Sequence, residues 1–69
     1  MKTIELPPES ARFVRAVYGV ELTDIGAGHA HLSADTARKT WPFLMAESGI
    51  DGVSKAFERA GINHRIVRA

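Results

Sequence analysis

The chain contains no cysteine. That removes disulfides, thiolate metal centres and a cysteine nucleophile. No apolar stretch approaches the roughly 20 residues that a membrane-spanning helix requires. The opening segment MKTIELPPES has one lysine, then an acid and two prolines, and lacks the apolar core of a secretory signal. No lipidation motif is present. The expectation is a cytoplasmic protein with no membrane partner. Neither sign of charge dominates: nine basic residues face eight acidic ones, a net charge of +1. Such a balance does not by itself announce a nucleic-acid binder. Aromatic residues are scarce, with three Phe, one Trp and one Tyr. Linkers, internal repeats and low-complexity tracts are also missing.

What is present is enough for a folded domain. Hydrophobic residues make up 45% of the 69 positions and charged residues 25%, which excludes a disordered tail. The length predicts one domain, 1–69. A chain of this size buries about 60% of its unfolded surface. The apolar part of that burial contributes ~100 kcal/mol. Ordering the chain costs about as much, at ~1.5 kcal/mol per residue. The monomer is therefore expected to be marginal, and a homodimer would hide more apolar surface. Arginine outnumbers lysine six to three, and alanine appears ten times. That usage points to a GC-rich bacterial or phage source.

The pattern of apolar positions predicts the elements. Residues 2–6, KTIEL, alternate, with Ile4 and Leu6 on one face, and read as a strand. Pro7-Pro8 ends it and prepares a helix over 9–18, with Ser10 as a candidate N-cap. Phe13, Val14, Val17 and Tyr18 form that helix's expected apolar face, and Gly19 its stop. Residues 20–25 and 29–33 alternate about the turn Gly26-Ala27-Gly28 and read as a β-hairpin. Pro42 interrupts a helical stretch over 34–48 and predicts a kink or a break, with Thr40 as a candidate cap and Gly49 as the stop. Ile50, Val53, Phe57 and Ala60 make a helical stripe. Residues 62–67, INHRIV, read as a last strand. The order β-α-β-β-α-α-β predicts a small two-layer α+β domain: about four short strands covered by two or three helices.

Gly26-Ala27-Gly28-His29-Ala30-His31 begins like a dinucleotide-binding fingerprint. It fails, because His31 stands where a third glycine is needed and the segment opens a strand. A helix-turn-helix over residues 44–60 fails as well. Ala46 is three residues before Gly49 where the pattern wants four, and Lys55 takes the apolar position. His29 and His31 share a strand face and are the weak metal candidates. A metal site needs three or four ligands, and no cofactor is expected. No serine has an identifiable base, oxyanion donor and orienting acid together, so no catalytic residue is assigned and an enzyme is not expected.

The expected function is therefore a small non-enzymatic binding protein. It would act as an inhibitor or regulator of a macromolecular partner, of the kind encoded by phages and mobile elements. A Trp41-Pro42-Phe43 segment with Met45 suits an interface anchor, with Arg38 and Lys39 as its basic rim. The alternative is a nucleic-acid-binding regulator. Residues 36–69 hold six basic groups against three acidic, whereas residues 1–35 hold three against five. Lys55, Arg59, Arg65 and Arg68 would then carry the contact.

Overall fold

The computed structural model describes residues 1–68. Strand β1 (Lys2–Leu6) leads through Pro7 into helix α1 (Pro8–Tyr18). Strands β2 (Thr23–Gly26) and β3 (His29–Leu32) form the hairpin. Three helices follow: α2 (Ala34–Thr40), α3 (Pro42–Ser48) and α4 (Ile50–Arg59), before strand β4 (Arg65–Arg68). The four strands make one antiparallel sheet in the order β2-β3-β1-β4. This is the expected small α+β domain. Among the described residues the helices number four, because three and not two lie between β3 and β4.

Proline and glycine set the boundaries. Pro7 is the N-cap of α1 with Pro8 at its first position, and Ser10 sits buried in the first turn instead of capping it. Ser33 caps α2, its Oγ accepting the Thr36 N–H at 3.2 Å. A residue before proline is driven out of the helical region. Trp41 accordingly adopts φ −126°, ψ 63° and separates α2 from α3. Pro42 thus produces a break. Thr40 does not cap α3; its hydroxyl donates back to the Thr36 carbonyl at 3.4 Å.

Two expected strands are shorter than their alternation suggested. The pairing of Thr23 with His31 sets Leu22 opposite Leu32, the last residue of β3, and would continue to residues 20 and 21 only if β3 ran further. There the chain leaves the sheet to cap α2, so Val20 is buried outside any strand. At the other end Glu5 faces Arg65. Extending that register puts Asn63 opposite Pro7, which has no N–H to give. Residues 62–64 therefore form a connection with Ile62 buried.

The core joins Ile4, Leu6, Ala30 and Leu32 of the sheet to Val14, Val53 and Phe57 of the helices. Helix α1 turns a different face inward from the one its apolar residues predict. Ser10, Ala11 and Val14 are buried, whereas Phe13 and Val17 stay 48% and 57% exposed. Small side chains let α1 lie close against β1 and β3. The same closeness shows at the hairpin turn. Gly28 has φ +80°, and a Cβ there would stand 2.9 Å from the Pro8 ring.

Candidate functional site

A strand's side chains alternate between faces, so burying Ile4, Leu6, Ala30 and Leu32 under the helices sends the intervening residues to the other side. Thr3 and Glu5 of β1, His29 and His31 of β3, Thr23 of β2, and Arg65 and Val67 of β4 share that second face. Among the described residues no helix covers it. Glu5 pairs in register with His31 on one side and Arg65 on the other, and His31 with Thr23. The result is a polar row, Thr23–His31–Glu5–Arg65, running straight across the sheet.

Glu5 is the centre of the row. Its Oε1 lies 3.3 Å from His31 Nε2, and its Oε2 accepts from Arg65 Nε at 2.9 Å. The Arg65 hydrogen bond, with that of His31 behind it, holds the Glu5 carboxyl below its ordinary value. The Glu5 side chain is 18% exposed and that of Arg65 71%, so the carboxylate is sunk and the guanidinium stands above it. His29 Nδ1 is 3.3 Å from the Ala27 carbonyl. A shallow groove of about 380 Å³ runs past Glu5, Pro7, His29, Asn63, His64 and Arg65.

A second polar pair lies where the 62–64 connection meets α4. Ser54 Oγ and His64 Nε2 are 2.6 Å apart, and His64 Nδ1 is 2.8 Å from the Ile62 carbonyl. A carbonyl only accepts, so Nδ1 carries the proton and Nε2 receives the Ser54 O–H. The Phe57 ring meets the imidazole edge-on at 5.6 Å. This pair pins the connection to the helix. Spacing alone does not join them, because ten positions and a helix end separate them.

The sequence-predicted interface residues divide. Trp41 is half-buried and meets Tyr18 and Phe57 edge-on, at centroid distances of 5.2 and 5.5 Å. Met45 also packs against the core. Phe43 is 88% exposed. Arg38 and Lys39 are exposed at the end of α2, and Arg38 is tied to Asp35 at 3.1 Å. The four basic residues of the alternative reading divide too. Lys55 and Arg59 stand one turn apart on α4 with no acidic partner within ion-pair distance among the described residues. Arg65 lies on the open face, and Arg68, opposite Lys2, on the helix side of β4. No group of three or more His, Asp or Glu side chains among the described residues is placed to hold a metal. His29 and His31 share the open face, but the first turns to Ala27 and the second to Glu5. No helix in the described residues is long and apolar enough to cross a membrane. Comparison with protein families, curated proteins and solved structures gives no match.

Proposed function

We propose that this protein is a binding module that inhibits or regulates a protein partner through the corner between α2 and α3. The observation that carries this reading is Phe43, an aromatic ring 88% exposed at the start of a helix with no fully buried residue. An exposed ring costs solvation without adding to the core, and rings of this kind anchor interfaces. Trp41 supports the corner from beneath through Tyr18 and Phe57, so Phe43 is presented on a fixed base. Arg38 and Lys39 supply a basic rim. The complementary partner is a protein with an apolar pocket bordered by carboxylates.

The test is capture from nuclease-treated host lysate by the wild-type chain and by Phe43→Ala. A protein held at near-stoichiometric amounts by the wild type and released by the variant supports the reading. Equal retention by a folded Phe43→Ala chain refutes it. The second reading is nucleic-acid binding, favoured by Lys55 and Arg59, which have no acidic partner among the described residues. Its mark is affinity that falls steeply with salt and weakens on Lys55→Ala and Arg59→Ala. Self-association is also proposed.

A further inference from the structure

We infer that the open sheet face around His29, His31 and Arg65 is an acid–base site that cleaves the RNA backbone. The sequence alone offered the two histidines without partners. The strand register supplies them. Glu5 binds His31 from one side and Arg65 from the other. His29 Nδ1 faces the Ala27 carbonyl, and His31 Nε2 faces the Glu5 carboxylate. Both acceptors require a proton on the nitrogen they face. The opposite nitrogens, His29 Nε2 and His31 Nδ1, are thereby the ones left to exchange a proton with a ligand.

Residues i and i+2 of a strand stand about 6.7 Å apart on one face. Two imidazoles at that spacing can flank one phosphate, each reaching one oxygen of an in-line displacement. Arg65 uses Nε on Glu5, and among the described residues its two terminal nitrogens have no partner. That planar fork matches the non-bridging oxygens of a phosphodiester. Neither imidazole on this face bonds a side-chain hydroxyl, so the protein prepares no nucleophile of its own here. RNA carries one, the 2′-hydroxyl beside each phosphate; DNA does not. The adjoining groove of about 380 Å³ lies at the small end of ligand sites and has room for a nucleotide.

The step balances within these groups. His29, neutral at Nε2, takes the proton of the 2′-hydroxyl as O2′ forms a bond to phosphorus. The bond from phosphorus to O5′ breaks. His31, whose imidazolium form pairs with Glu5, gives its Nδ1 proton to the departing O5′. Arg65 stabilises the charge on the phosphoryl oxygens. The products are a 2′,3′-cyclic phosphate and a 5′-hydroxyl, and the two histidines have exchanged protonation states. His29, His31 and Arg65 are the catalytic residues. Glu5 is a positioning residue acting through His31 and Arg65.

This site is independent of Phe43. It shares a ligand class with the second reading above, from which cleavage, as opposed to retention, distinguishes it. The test uses untagged protein, a random-sequence pool of end-labelled 12-mer oligoribonucleotides and its all-deoxy counterpart, in excess EDTA. The expected result is RNA fragments ending in cyclic phosphate, intact DNA, and a bell-shaped pH–rate profile. His29→Ala and His31→Ala, purified identically, should each lose about 100-fold or more. Glu47→Gln, at an exposed position of α3, should cleave like the wild type. Glu5→Gln, folded by circular dichroism, should shift one limb of the pH profile. An RNA pool left intact, or bound and not cut, overturns the proposal. So does cleavage unchanged in both histidine variants, which marks a contaminating nuclease. An unshifted profile in Glu5→Gln overturns the positioning role.

Discussion

Replacing Trp41 by alanine separates a core role from an interface role. Trp41 is half-buried, and its indole contacts the Tyr18 and Phe57 rings at 5.2 and 5.5 Å. Full truncation of a buried tryptophan costs about 3–5 kcal/mol. Partial exposure lowers that, and two edge-on aromatic pairs at about 0.5–1.5 kcal/mol each raise it again. The expected loss is about 2–4 kcal/mol. A chain of 69 residues has a total stability of only about 3–10 kcal/mol. Each kcal/mol moves Tm by about 4–8 °C at this size. Trp41→Ala should therefore melt at least about 10 °C lower, and much of the population can unfold at 37 °C. Phe43→Ala, two residues away, should change stability by less than about 0.5 kcal/mol, because that ring already meets water. Urea unfolding followed by circular dichroism compares both variants, since removing the single tryptophan also removes the fluorescence signal. A Trp41→Ala chain as stable as the wild type would refute the packing argument and return Trp41 to the exposed anchor. A Phe43→Ala chain that loses about 2 kcal/mol or more would show that Phe43 is covered, and would remove the observation behind the proposed interface.

Three further outcomes follow. Gly28→Ala should lose about 2–4 kcal/mol by urea unfolding, because φ +80° strains a side chain and its Cβ would press on the Pro8 ring; an unchanged midpoint would mean that the turn relaxes away from α1. Ser54→Ala should lose about 1–3 kcal/mol, since it strips His64 Nε2 of its 2.6 Å donor inside the α4 junction; amide exchange of residues 62–64 should quicken with it, and unchanged exchange would refute the clamp. The Glu5 carboxyl is lowered in the folded state, first by Arg65 and then by His31. Its stabilisation is complete above the ordinary glutamate value of 4.5 and is lost as pH falls through the lower folded value. Tm should decline over that acid window, and Glu5→Gln should flatten the decline; identical curves would show that the row contributes nothing to stability.

The fold was legible in the sequence where one local rule decided the outcome. Alternation marked β1 and β3, and Pro7-Pro8, Gly19 and Gly49 marked the helix ends. It was less legible where a neighbour decided. Residues 20–22 alternate like a strand, yet the chain that would pair with 20 and 21 has already turned away at Ser33. Phe13 and Val17 form the more apolar stripe of α1, yet the sheet accepts Ser10 and Ala11 because they permit a closer approach. Periodicity reports which residues can be buried together. It does not report which burial leaves the least empty space.

The polar row could not be read from spacing, because Glu5 lies 26 residues from His31 and 60 from Arg65. Only register brings them together, and register is set on the opposite face. Ile4 pairs with both Leu32 and Ile66, and Leu6 with Ala30. Slipping β4 by one residue against β1 would send Arg65 under the helices and bring Ile66 out beside Glu5. The carboxylate would then lose the partner that lowers it most. The same slip in β3 would push both histidines into the core and expose Ala30 and Leu32. The hydrophobic layer thus determines which polar residues can meet, although none of its members touches the groove. Substitutions that loosen the layer, such as Leu32→Ala, should therefore disturb the row before they abolish the sheet.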